Sequence, residues 1–193
     1  MQMILFFDTE TTGLPKDYKA PPENTANWPR MVQLAYMLDD ENHTETYSRD
    51  WIIKPEGFEI PQEAARVHGI AQDRALGAGV ALETALTDFY NCWLTADLLV
   101  AHNISFDLGI VGAELCRGGW SNFLGEKPTC CTMRSSVDLC AIPAKHGRGF
   151  KWPRLMELHH KLFGCDFAGA HDAANDVAAG VKCYWELKRR GLC

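Results

Sequence analysis

Apolar and polar positions along this chain predict strands first and helices later. Residues 3–8 are a short apolar run ending at Asp8 and read as a buried strand. Residues 31–38 and 45–53 read as two more strands, with Asp39, Asp40, Glu41 and Asn42 supplying the turn between them. The intervening residues 14–30 hold Pro15, Pro21, Pro22 and Pro29 and predict a long loop. Loops of that length in compact domains are often functional.

Helical spacing follows. A short helix is expected over Gln62–Val67. Leu82, Leu86, Phe89 and Trp93 recur at helical intervals and mark an amphipathic helix. Leu98–Ala101 is a short apolar strand, a second helix starts near Phe106 and runs to Cys116, and a short strand is expected around Cys130–Met133. Pro153 suits the first turn of a helix carrying Leu155, Leu158 and Leu162 on one face, with Gly164 as its stop. The last helix covers about Ala173–Arg189, with Val177, Val181, Tyr184 and Leu187 on one side. Lys188, Arg189 and Arg190 fall at the favourable end of its dipole. Strands followed by helices around a central strand predict an α/β layer fold. Ligands in such sheets sit beyond the carboxyl ends of strands, where Asp8 and Glu10 lie.

Composition narrows this picture. The 193 residues suit one domain over 1–193. A net charge of −6, from 19 basic and 25 acidic residues, argues against a purely electrostatic nucleic-acid binder. It is compatible with an enzyme whose acids are neutralised by metal ions. The apolar opening, Met3–Phe7, is too short for a signal-peptide core, and no apolar run approaches a membrane span. The eight cysteines form no C-x-x-C pair, which argues against a zinc ribbon. Reduced thiols and a cytoplasmic location, away from membranes, are the expectation.

Three places carry candidate chemistry. In FFDTETTG, residues 6–13, Asp8 and Glu10 point the same way from a strand, roughly 6.5–7 Å apart. Two such acids repel, and a divalent cation relieves the cost. Oxygen ligands favour magnesium or manganese over zinc. Acids in a surface turn are the plainer alternative. In AHNISFD, residues 101–107, Asp107 follows a strand and opens a helix, where a carboxylate is favoured in any case. In AHDAAND, residues 170–176, His171 and Asp176 are five apart. On a regular helix that leaves them roughly 140° apart. His171 therefore belongs to the loop or frayed turn before the helix, and Asp176 to the helix.

Taken in order, Asp8-x-Glu10, then Asp107, then His171 five before Asp176 resembles the DEDDh, DnaQ-like family of 3′→5′ exonucleases, which includes the proofreading epsilon subunit of bacterial DNA polymerase III. VHGI at 67–70 and KWPRLMELHHKLFG at 151–164 are also similar to family elements. The resemblance spans nearly the whole chain. It implies a ribonuclease H-like fold, a five-stranded mixed sheet with helices on both faces. It also implies two-metal hydrolysis with Mg2+ or Mn2+, releasing 5′-mononucleotides.

Carried over by position, Asp8 would bridge both metals, Glu10 and Asp176 would complete the site of the attacking water, and Asp107 would hold the second metal. His171 would take the proton, a role suited to imidazole. Thr11, Thr12 and Gly13 would approach the terminal sugar, and Leu14 would wedge against the last base. His68 and Asn103 would be polar contacts, and Phe106 a stacking surface. Loop packing, a helix-end histidine and a core aromatic are the competing roles of Asn103, His68 and Phe106. Trp28 and Trp152 are assigned to packing, and the His159-His160 pair to solvated surface.

The implied partner is a nucleic-acid 3′ end, single-stranded or frayed, with a DNA polymerase as a further candidate. The chain stops soon after its last helix, so a stand-alone or loosely recruited domain is expected. Two rivals remain. A non-catalytic nucleic-acid or polymerase-binding module on the same fold predicts loss of an acid or of the histidine, and all five are present. An exoribonuclease acting on RNA or oligonucleotide ends shares the same metal site, and a 2′-hydroxyl contact would separate it.

Overall fold

The computed structural model describes residues 2–145 and 147–193. Strands β1 (Met3–Thr11), β2 (Met31–Asp40), β3 (Glu45–Ile52), β4 (Leu98–Ala101) and β5 (Thr129–Cys131) form one mixed sheet in the order β3-β2-β1-β4-β5. β1 is central, antiparallel to β2 and parallel to β4. The helices are α1 (Gln62–His68), α2 (Gln72–Ala78), α3 (Leu82–Thr95), α4 (Ile104–Arg117), α5 (Thr132–Ser135), α6 (Val137–Cys140), α7 (Leu155–Phe163) and α8 (Ala173–Arg189).

The parity of β1 divides the core. Leu5 and Phe7 pack with Leu86, Phe89 and Trp93 of α3 and Ile110 of α4. Ile4 and Phe6 point to the other face, against Ala173, Val177, Tyr184 and Trp185 of α8. Helices thus cover both faces of the sheet, as expected. Side chains alternate along a strand, so Asp8 and Glu10 share the α8 side with Ile4 and Phe6.

The boundaries differ from the expectation in instructive places. β1 runs past its apolar stretch to Thr11, because Asp8, Thr9 and Glu10 pair in register with Ala35, Leu34 and Gln33 of β2. The two acids therefore lie within the last turns of pleat rather than beyond them. Asp39 and Asp40 belong to β2, and the turn falls over 41–44. Met133 belongs to α5 rather than to β5, and α2, α5 and α6, each seven residues or fewer, went unseen. α4 starts at Ile104, earlier than expected. Pro153 precedes α7 instead of sitting in its first turn. The helix is opened by Glu157 Oε2, which accepts from the Arg154 N–H at 2.8 Å. Gly164 closes it at φ 73°.

The proline-rich loop 14–30 is clamped to α4. Glu114, fully buried, accepts from Arg30 Nε and the Met31 N–H, each at 2.9 Å. Arg117 bonds Glu114 at 3.0 Å and donates to the carbonyls of Thr25 and Trp28 at 2.5 and 2.6 Å. Trp28 is buried, as expected, and its ring leaves no room on α4 for more than Gly109. A Cβ there would lie 2.2 Å from Trp28.

Two other aromatic assignments are corrected. His159 is buried rather than solvated: Nδ1 lies 2.9 Å from the Cys165 carbonyl, and Phe163 and Phe167 cover the ring. Its neighbour His160 is exposed, against Asp166. Trp152, assigned to packing, is 64 % exposed. All eight cysteines are free thiols. Among the described residues no helix is long and apolar enough to cross a membrane.

Candidate active site

Three elements deliver acids to one place. β1 supplies Asp8 and Glu10 on its α8 side. β4 ends at Ala101, and Asn103, at φ 71°, turns the chain into α4. Asparagine tolerates this left-handed conformation. That turn places Asp107 in the first helical turn, 2 % exposed, where Oδ1 accepts from the Thr9 N–H at 3.1 Å and the Thr9 hydroxyl at 2.8 Å. Thr9 points to the α4 face of β1, so its bonds register α4 against the strand that carries Asp8 and Glu10.

The start of α8 is fixed as closely. Asp172 caps it, accepting from Ala174 and Asn175 N–H groups. The Ala173 N–H donates to Gln33 Oε1 at 3.1 Å, and Gln33 is the register partner of Glu10 on β2. This ties Asp176 to the acids of β1. His171 lies before the helix, exposed, at φ 67°, as its spacing from Asp176 requires. Its N–H donates to Asp176 Oδ2 at 3.1 Å. A ring nitrogen of His171 and carboxylate oxygens of Glu10 and Asp176 all lie within 4.8 Å of one another.

The electrostatics are those of an uncompensated cluster. Asp8 is raised well above the usual carboxylate range, first by burial, then by the charges of Asp107, Asp176 and Glu10. Burial, reinforced by Asp176 and Asp107, pushes Glu10 up to about 8. Asp107 rises to about 7 through burial, opposed by its Thr9 hydrogen bonds. Asp176 rises to about 6 through burial, opposed by the His171 N–H and its ring. Among the described residues no lysine or arginine pairs with any of the four. Carboxylates gathered without a counter-cation form a hard-oxygen donor set, which fits divalent cations such as Mg2+ or Mn2+.

A groove of about 480 Å3 adjoins this cluster, lined by Thr9 to Leu14 and by Val67, His68 and Phe106. Thr12 is held to the clamped loop: its N–H donates to the Arg30 carbonyl at 2.9 Å and its hydroxyl accepts from the Arg30 N–H at 3.0 Å. Gly13 adopts φ 154°, and a Cβ there would meet nothing within 4 Å. Backbone conformation, not crowding, calls for glycine here. Leu14 projects into solvent, 72 % exposed, and exposed Val67 lines the same groove.

His68 is buried. Its Nδ1 accepts from the Ile70 N–H at 3.1 Å, and its Nε2 has no hydrogen-bond partner. Burial lowers its pKa, opposed by the Thr11 backbone. Phe106 lies half-buried under Tyr18, ring centroids 6.4 Å apart. Asn103 makes no side-chain cap and does not line the groove; its visible contribution is the backbone turn.

Two residues escaped the sequence reading. Tyr18 carries no periodic or motif signal within the loop. His102 sits inside the second motif, but its partners, Thr132 Oγ1 and the Pro153 carbonyl, each at 3.0 Å, are distant in sequence. Burial depresses its pKa to about 4, so it is a neutral brace. A larger groove of about 730 Å3, around Trp185 and His43, lies at the opposite end of β1 and β2, away from the four acids.

The chain belongs to the exonuclease family named RNase T, whose sequence model matches residues 5–184. Among solved structures it is similar to Escherichia coli exonuclease I bound to a dA16 oligonucleotide, at 18 % identity and a TM-score of 0.76, over 98 % of this chain and 41 % of that one. The same enzyme with a dT13 oligonucleotide gives 18 % and 0.76, over 98 % and 42 %. Its zinc-bound complex with single-stranded DNA gives 18 % and 0.77, over 98 % and 41 %. At this identity the likeness is one of fold, the ribonuclease H-like α/β fold of the exonucleases. The chain spans about two fifths of the length of those structures. Comparison with curated protein sequences yields no significant match.

Proposed function

We propose that this chain, as one catalytic unit, is a cation-dependent 3′→5′ exonuclease. It removes 5′-mononucleotides from the 3′ end of single-stranded or frayed nucleic acid, with DNA as the first substrate to test. The carrying observation is the convergence of four carboxylates from three elements, with no lysine or arginine partner among the described residues, beside an exposed imidazole. Nuclease activity follows from the family; polarity and substrate are supported by the motif order and by the oligonucleotides bound to exonuclease I in its own structures.

Asp8, Glu10, Asp107 and Asp176 would hold two divalent cations, which when bound neutralise the cluster and stabilise the incoming and departing oxygens of an in-line displacement. His171 receives the proton of the attacking water. Its exposed position before α8 lets the ring reach the water and release the proton to solvent. Thr12 and the Gly13 backbone place the terminal sugar, and Leu14 and Phe106 bracket the last base. His68 lines the groove and is the candidate for a polar contact with the end of the strand.

The test is digestion of 3′- and 5′-labelled single- and double-stranded DNA and RNA with Mg2+ or Mn2+, with Asp8→Ala and His171→Ala alongside. The expected products are mononucleotides from the 3′ end with wild type and none with Asp8→Ala. Internal fragments, or wild-type rates from Asp8→Ala, would contradict the assignment. The resemblance of the three motifs to those of a proofreading subunit makes a DNA polymerase the protein partner to test by co-purification.

A further inference from the structure

The segment entering α7 alternates in exposure. Phe150 is 47 % and Trp152 64 % exposed, Arg154 is exposed, Pro153 is buried and Lys151 half-buried. Residues two apart on an extended backbone point the same way, so Phe150, Trp152 and Arg154 form one outward stripe. The inward side is fastened. Lys151 Nζ lies 2.6 Å from both Glu157 oxygens, and the Lys151 N–H donates to the Ile142 carbonyl at 2.9 Å. The Pro153 carbonyl lies 3.0 Å from His102 Nε2. His102 in turn lines one small cavity together with Asp8 and Asp176. The stripe is therefore a braced wall joined to the carboxylate cluster, not a loose loop.

The stripe combines exposed aromatic rings with nearby cations. The chain is acidic overall, yet residues 145–154 hold four of its 19 cations: Lys145, Arg148 and Arg154, together with Lys151, which is paired with Glu157. Aromatic rings held in water beside cations suit the bases and backbone of a single strand. Base stacking tolerates any sequence, and arginine serves the phosphates.

We propose that Phe150 and Trp152 are a base-stacking platform for the strand upstream of the cleaved nucleotide, with Arg154 at its backbone. This rests on the exonuclease reading and deepens it: the preferred substrate is an unpaired strand several nucleotides long, rather than a dinucleotide or a paired end.

The test compares wild type, Trp152→Ala, Phe150→Ala and Trp152→Phe on an oligothymidylate of about twelve nucleotides and on a thymidine dinucleotide. On the long strand each alanine variant should raise KM roughly tenfold with kcat unchanged, and Trp152→Phe should recover most of the loss. On the dinucleotide all four proteins should behave alike. An unchanged KM for Trp152→Ala on the long strand, or an equal rise on both substrates, overturns the platform.

Binding of the same fluorescently labelled strand in EDTA, read by anisotropy, decides independently of turnover. Weakened binding by Trp152→Ala supports the platform even if wild type releases no nucleotide, in which case only the exonuclease reading falls. Equal binding by all four proteins overturns the platform.

Discussion

Asp107→Asn should make the metal-free protein more stable while abolishing its activity. The substitution keeps the shape of the side chain and leaves Oδ1 to accept from Thr9, whose two bonds at 3.1 and 2.8 Å hold α4 to β1. It removes a charge that is 2 % exposed and set among other acids. The folded carboxyl is raised from 3.8 to about 7. Each pH unit is worth about 1.4 kcal/mol, so the ionised form at pH 8 destabilises the fold by up to about 4 kcal/mol.

Burial is the larger cause, and an asparagine amide is also desolvated, so a gain of about 1–3 kcal/mol is the reasonable expectation. For a chain of this size that is a Tm rise of roughly 2–10 °C. The difference should shrink toward pH 4–5, where the folded carboxyl is already protonated. Thermal unfolding followed by circular dichroism in EDTA, at pH 5 and pH 8, measures it. A variant less stable than wild type at pH 8 would refute the claim that this carboxylate is held at a cost.

Other outcomes follow from the same geometry. Glu10 and Asp176 hold their protons more tightly folded than unfolded, with folded values of about 8 and 6, so the metal-free protein should lose stability as pH rises from 4 to 8. Millimolar Mg2+ or Mn2+ should restore it at the alkaline end, and a flat Tm against pH in EDTA would contradict this. Gly109→Ala would drive a methyl group to 2.2 Å from Trp28 and should cost about 1–3 kcal/mol in urea denaturation. Gln33→Leu removes the acceptor for the buried Ala173 N–H at the start of α8 and should cost about 1–3 kcal/mol. It should also lower kcat, because Asp176 loses its tie to β1.

The central strand, the long loop and the last helix were legible because their periodicity or proline content is local. The three motifs were legible for a different reason: order and spacing name a site whose members meet only in space. What stayed hidden depends on partners. Thr9 and Thr11 suit a strand, but Asp8 and Glu10 end the apolar run, and it is pairing with β2 that carries the strand on to Thr11. The short helices α5 and α6 carry too few residues for a pattern. His159 looks polar until Cys165 and two phenylalanines enclose it. Trp152 looks like core until its neighbours are seen to be pinned on the opposite side.

The most direct test of the central claim is anomalous diffraction from crystals soaked in Mn2+. Two peaks enclosed by Asp8, Glu10, Asp107 and Asp176, both lost in Asp8→Asn, are the predicted result. Manganese bound elsewhere, or no peak among these four side chains at millimolar Mn2+, would contradict it.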